Sequence, residues 1–247
     1  MVEAMHASVA ERKNRVRLAN MLRNTPIPNE ELWANMGLFI NRMELSRIFF
    51  INELYQHILP INGVVMEFGV RWGQNLSLFT TMRGMYEPFN RTRKIIGFDT
   101  FAGFPSVHDK DGDAKGVYEG AYSVSPNYEE YLADILDYQE SECPIGHLKK
   151  YELCKGDAVA TLEAYLAKHP ETIISLAYFD FDIYEPTRKC LEMIKPHLTK
   201  GSVIGFDELN CPDYPGETLA LREVFDMNRI SIRRTAHSGY SSYFIVD

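Results

Sequence analysis

Two hydrophobic patterns divide the chain. Before residue 62 the apolar positions recur at helical spacing, and from residue 63 short apolar runs alternate with amphipathic stretches. The first helical segment covers about residues 8–23. The second, NEELWANMGLFINRMELSRIFFINELYQHIL, sets Leu45, Ile48, Phe49 and Leu54 on helical spacings, with a break expected near Met36–Gly37. TPIP separates the two, since proline lacks a backbone donor and crowds the preceding turn. Further on, VVMEFGV, KIIGFDTF, YELCKG, IISLAYFDFD and GSVIGFDEL read as strands. NLSLFTTMRGMY, EEYLADILDYQ, AVATLEAYLAKH, PTRKCLEMIKPHL and TLALREVFDM read as the helices that follow them. ISIRRTA and SSYFIVD, joined by HSGY, close the chain as an antiparallel pair. The alternation predicts an α/β fold: a mostly parallel seven-stranded sheet, helices on both faces, and an antiparallel C-terminal strand. Residues 1–61 are expected to form an N-terminal helical extension and residues 62–247 the α/β domain. FAGFPSVHDKDGDAKGVYEGAYSVSPN is long for a loop in a compact domain, which predicts a lid or binding loop.

Composition narrows the class. The chain has 247 residues, 45% of them hydrophobic, which is ample for one core. Its net charge of -8, with no long Lys/Arg block, argues against unspecific nucleic-acid binding. Four cysteines, Cys143, Cys154, Cys190 and Cys211, form no C-x-x-C pair and suit reduced thiols in a cytoplasmic protein. No apolar run approaches the roughly 20 residues that a membrane span needs, and the N-terminus lacks a signal-peptide core. Trp33 and Phe39 put apolar surface on the N-terminal segment, suited to a homo-oligomer interface or to covering a substrate.

Candidate chemistry gathers at strand ends. In MEFGVRWGQN, Gly69 and Gly73 permit a tight turn and close backbone approach to a ligand, and Glu67 lies at the strand end. The spacing G-x-x-x-G is not the dinucleotide fingerprint, so a purely structural turn is an alternative. Asp99 ends the second strand, where ribose hydroxyls are held in such folds. Asp157 opens a helix after the third strand, as an N-cap, an adenine-side contact, or both. P-loop and G-x-S-x-G motifs are absent from the sequence.

Asp180 and Asp182 end the fourth strand, and Asp207 and Glu208 end the fifth. Neighbouring parallel strands finish on one edge, so these acids converge above the crevice. Two unit charges about 4 Å apart repel by roughly 4 kcal/mol at an effective dielectric of 20. Protons or a cation must relieve that, and an all-oxygen donor set suits Mg²⁺. The alternative is that each acid caps the helix after it, which suits Asp182 best. Asp109, Asp111 and Asp113 imitate the start of a calcium loop, but Ala114 and Gly120 stand where that loop needs Gly and Glu. A solvated acidic lid is the preferred account of that stretch.

MEFGVRWGQN, FDTFAGFP, FDFDIYEPTRKCLEMIKPHLTKGSVIGFDELN and LREVF resemble the TylF-like macrocin O-methyltransferases over about residues 40–247. The resemblance implies a Rossmann-like class I methyltransferase fold and a reaction dependent on S-adenosylmethionine and Mg²⁺, methylating a sugar hydroxyl. It implies cofactor contacts at Glu67, Phe68, Gly69, Val70, Gly73, Asn75, Asp99, Thr100, Gly156 and Asp157. It implies a metal on Asp180, Asp207 and Glu208, with Asp180, Asp182 or His237 as the base; His108 is a further candidate. One departure is Glu208, where the family usually has a second aspartate. The expected partner is a sugar-containing small molecule. The rival expectations are a metal-independent N- or O-methyltransferase, a non-catalytic module of the same fold, and a metal-dependent hydrolase.

Overall fold

The computed structural model describes residues 7–247. The chain forms two compact units, Met1–Phe49 and Phe50–Asp247.

In the first unit, helix α1 (Val9–Arg23) starts at a capping box: Ser8 Oγ accepts from Glu11 N at 3.2 Å, and Glu11 Oε2 accepts from Ser8 N at 2.8 Å. The short helix α2 (Asn29–Leu32) runs into a 3₁₀ turn, Trp33–Phe39. The break expected near Met36–Gly37 falls later, at Ile40–Asn41. There Asn41 Oδ1 accepts from Met43 N and Glu44 N at 2.8 and 3.1 Å and starts helix α3 (Arg42–Ile58). An Asn cap satisfies donors that a glycine cannot, so it sets the boundary.

The second unit is a seven-stranded sheet in the order β3-β2-β1-β4-β5-β7-β6. β1 (Val64–Phe68), β2 (Ile95–Asp99), β3 (Tyr151–Lys155), β4 (Ile174–Phe179) and β5 (Leu198–Phe206) are parallel. β7 (Ser242–Ile245) runs antiparallel to both β5 and β6. The expected sheet is therefore present, but β6 is reduced to Arg233–Arg234, both exposed. ISIRRTA alternates like a strand yet lies at an edge, and only two residues find ladder partners.

Central strands are buried on both faces, and alternate residues feed two layers. Met66, Phe68, Ile96, Phe98, Ala177 and Phe179 face helices α6 (Ala158–Lys168), α7 (Tyr184–Ile194) and α8 (Gly216–Val224). Val65, Ile95, Leu176 and Tyr178 face the C-terminal half of α3, α4 (Gln74–Tyr86) and α5 (Tyr128–Ser141). At the edge away from the crevice, buried Arg93 donates to the carbonyls of Ile58, Ile61 and Gly63, to Ser175 Oγ, and to Glu87. That network fixes the foot of β1 and β4.

Candidate active site

The strand order reverses between β1 and β4, so the ligand crevice of a doubly wound sheet lies beyond their carboxyl ends. Four phenylalanines pave its floor. Phe68 stacks on Phe98 at 5.0 Å and on Phe179 at 4.6 Å, and Phe179 stacks on Phe206 at 5.4 Å. They are register partners in adjacent strands. The residues that follow them, Gly69, Asp99, Asp180 and Asp207, are therefore brought to one rim. Phe68 is thus fully buried, and its ring is not offered to a ligand.

Gly69 has φ +95°, and a Cβ there would collide with the Asp180 carbonyl oxygen. Asp180 N donates to Phe68 O at 2.8 Å, which is why the chains run so close. Gly73, at φ +77°, starts α4 against Leu132. Asp99 ties two turns together: Oδ2 accepts from Arg71 N at 2.7 Å and Oδ1 from Phe101 N at 2.5 Å. Burial raises its pKa, and the backbone donors of Arg71 and Phe101 oppose that. Val70 is buried over Gly97. Glu67 is buried in β1, and Asn75, also buried, has an Oδ1 with no hydrogen-bond partner. Thr100 Oγ1 donates to Gly103 O at 2.7 Å, and Gly156 N donates to Asp99 O at 2.9 Å. Asp157 caps α6, accepting from Ala160 N at 3.0 Å.

The carboxylate end is denser than the sequence implies. Asp180, Asp182, Asp207 and Glu208 are joined by Glu217, which sequence reasoning missed. Glu217 is fully buried in the first turn of α8, and its Oε1 accepts from Phe181 N at 3.1 Å and Asp182 N at 3.4 Å. Burial, then the negative charge of Asp182, raises its pKa well above the ordinary value. For Asp182, burial acts first and Glu208 second, in the same direction. Asp182 Oδ1 and Glu217 Oε2 are buried with no hydrogen-bond partner. Asp207 Oδ1 accepts from Tyr178 Oη at 3.0 Å and Ser241 Oγ at 3.3 Å.

Asp182 does not cap α7. It adopts φ +63°, and the cap position belongs to Ile183, which supplies no side-chain bond. The cap comes from the long loop instead: Asp111 Oδ1 accepts from Tyr184 N at 2.6 Å, and its Oδ2 accepts from His108 N at 2.6 Å. This corrects the expectation of a solvated acidic stretch at Asp111, which is 1% exposed, while Asp109 and Asp113 are exposed. Two further contacts dock the loop. Lys110 Nζ meets Glu223 at 2.6 Å, and Tyr122 Oη bonds Tyr214 Oη at 2.6 Å. His237 is exposed, with its backbone N donating to Thr235 Oγ1 at 3.2 Å. His108 is also exposed, and its Nδ1 accepts from Lys110 N at 3.1 Å.

Among the described residues no three His, Cys, Asp or Glu side chains form a preformed ion cage. The chemistry of the rim nevertheless fits a hard cation. Its donors are all carboxylate oxygens, two of them, on Asp182 and Glu217, buried without partners, and burial first and neighbouring negative charge second push these two groups toward the protonated form.

No protein-family model matches the chain, and no curated protein does. Among solved structures, the calicheamicin methyltransferase CalS11 is 43% identical, covering 97% of this chain and 94% of that one at a TM-score of 0.95. An apo structure of CalS11, described as a TDP-rhamnose 3'-O-methyltransferase, matches at 39% identity over 97% and 96% of the two chains, with a TM-score of 0.86. The O-methyltransferase NovP shares the fold at 19% identity, over 81% of this chain and 79% of that one, with a TM-score of 0.61.

Proposed function

The chain belongs to the TylF-like sugar O-methyltransferases, and on that premise we propose that it methylates a hydroxyl of a nucleotide-linked or glycosylated sugar with the help of Mg²⁺. The observation that carries this reading is the acidic rim beside a glycine turn in a chain similar along nearly its whole length to CalS11. S-adenosylmethionine would supply the methyl group, and Mg²⁺ would lower the pKa of the acceptor hydroxyl.

The chain's own residues have three tasks. Gly69 and Gly73 let backbone approach the methyl donor, beside the Asp99 bracket and the Asp157 cap. Asp180, Asp207 and Glu208 would hold the ion. Once it has lost its own proton, Asp182 would offer a buried oxygen without a partner to take the hydroxyl proton, with Asp180 as the alternative. His237 is exposed and stands further down the order. Holding donor and acceptor in line at the strand ends would contribute several kcal/mol. Among the described residues no helix is long and apolar enough to cross a membrane. Four free thiols support a cytoplasmic location, and exposed Trp33 and Leu38 support a homo-oligomer.

The test is methyl transfer to a panel of nucleotide sugars, read by mass, with and without EDTA and in Asp207→Ala. The reading expects a product 14 Da heavier and a large loss in both metal arms. Full activity in EDTA and in Asp207→Ala would sink the metal role. Product on an amine, or on none of the panel, would sink the acceptor class.

A further inference from the structure

Four arginines of the α/β unit are wholly or partly buried, and three pair with carboxylates inside the protein, Arg188 with Glu192 at 2.7 Å. Arg83 pairs with Glu140 at 2.6 Å and donates to Lys150 O at 2.9 Å. Arg93 is saturated by Glu87, Ser175 and three carbonyls. Arg71 differs. It lies on the first turn, beyond the carboxyl end of β1, with φ +50°. Its backbone is fixed by the 2.7 Å bond to Asp99, whose carboxylate also feels the Arg71 charge, yet no ion pair of the guanidinium is found among the described residues. Its Nε is buried with no hydrogen-bond partner. The guanidinium stacks 4.8 Å from the Tyr122 ring, and that ring is held by the bond to Tyr214.

A buried donor without a partner costs free energy, and in a chain with 34 acidic residues a pairing carboxylate is easy to supply. Here the charge is oriented by an aromatic platform and left without a direct ion pair beyond the carboxyl end of β1. We infer that the Arg71 guanidinium is an anion receptor for a ligand, taking either the carboxylate of the methyl donor's amino-acid tail or a phosphate of a nucleotide-bearing acceptor. The two anions share the chemistry that matters: paired oxygens that match the guanidinium fork. Tyr122 is the positioning residue. It carries Arg71 on its face and reaches Tyr214 with its hydroxyl, and Tyr214 lies within electrostatic reach of Asp182 and Glu208. The long loop therefore touches both ends of the crevice through one side chain.

This inference rests on the methyltransferase reading, and calorimetry on the full-length protein separates the two. The probes are S-adenosylhomocysteine, its decarboxylated analogue and thymidine diphosphate, against wild type, Arg71→Gln and Arg71→Lys, each checked for folding by thermal melting. If the donor carboxylate is the anion, Arg71→Gln weakens S-adenosylhomocysteine about tenfold to a hundredfold, and the wild-type preference over the decarboxylated analogue disappears. If a phosphate is the anion, the same loss appears with thymidine diphosphate alone. Arg71→Lys keeps a charge without the fork and falls between; it carries the test if the Gln variant does not fold. Wild-type binding of either anion that both variants retain overturns this inference and leaves the methyltransferase reading standing. A wild type that binds none of the three overturns both.

Discussion

Asp111 is the sharpest place to test how the long loop is held. Its two carboxylate oxygens accept from Tyr184 N and His108 N, both at 2.6 Å, and the side chain is 1% exposed. Asp111→Ala removes an N-terminal cap of α7, a loss of about 1 kcal/mol. It also removes the bond that closes the loop's own 3₁₀ turn, about 1 kcal/mol more. The sum, about 2 kcal/mol, corresponds to a fall of roughly 4–8 °C in melting temperature for a chain of this size. Asp111→Asn keeps one acceptor but turns an amide donor toward one of the two N–H groups, so it recovers about half the loss. Thermal melting gives the total, and limited proteolysis between residues 101 and 127 shows whether the loop has been released. An alanine variant that melts within about 1 °C of wild type and is cleaved no faster would refute the cap.

Other expectations follow from the same geometry. Gly69→Ala must move either the turn or Asp180, because its Cβ has no room beside the Asp180 carbonyl and φ is +95°; S-adenosylhomocysteine titration should show at least tenfold weaker binding, about 1.4 kcal/mol, and wild-type affinity would remove the steric argument. Asp182 and Glu217 have pKa values raised above their ordinary 3.8 and 4.5, so the folded metal-free protein keeps protons that the unfolded chain releases. Stability should therefore fall as pH rises above that range; melting temperatures flat from pH 5 to pH 8 would contradict this. Glu217→Gln removes one buried charge while keeping an acceptor for Phe181 N and Asp182 N, so it should melt higher than wild type at pH 8 and close to it near pH 4. Millimolar Mg²⁺ should raise the melting point of wild type at pH 8 and do so less in Asp207→Ala, by dye-based melting; an equal rise in both would place the ion elsewhere.

The sheet was legible because its strands are apolar runs separated by amphipathic helices, a pattern that survives without tertiary information. The strand-end acids were legible for the same reason, since parallel strands finish on one edge. Glu217 was not. In PGETLALREVF it looks like an ordinary acid in a helix's first turn, where the helix dipole favours Glu. Only the packing of α8 against the turn after β4 buries it. Asp111 misled in the same way: it sits among Asp109, Lys110 and Asp113 in a polar stretch, and the backbone donor that it caps is 73 residues away. Asp182 reads as a cap from spacing alone, and its left-handed backbone has no local signature. The recurring Phe–Gly or Phe–Asp pairs at 68–69, 98–99, 179–180 and 206–207 were a usable signal, since an aromatic followed by a rim residue in four strands marks one common level.

The phenylalanine floor also bears on the order in which ligands arrive. Four stacked rings form a low-dielectric slab under a rim of carboxylates, so field lines from those charges spread poorly downward and are focused into the open crevice. Cations are drawn in quickly at low ionic strength, while a diphosphate-bearing acceptor meets a repulsive potential that salt would screen. An acceptor of that kind would then load after the ion, and its association rate would rise steeply with added Mg²⁺ but only gently with added NaCl.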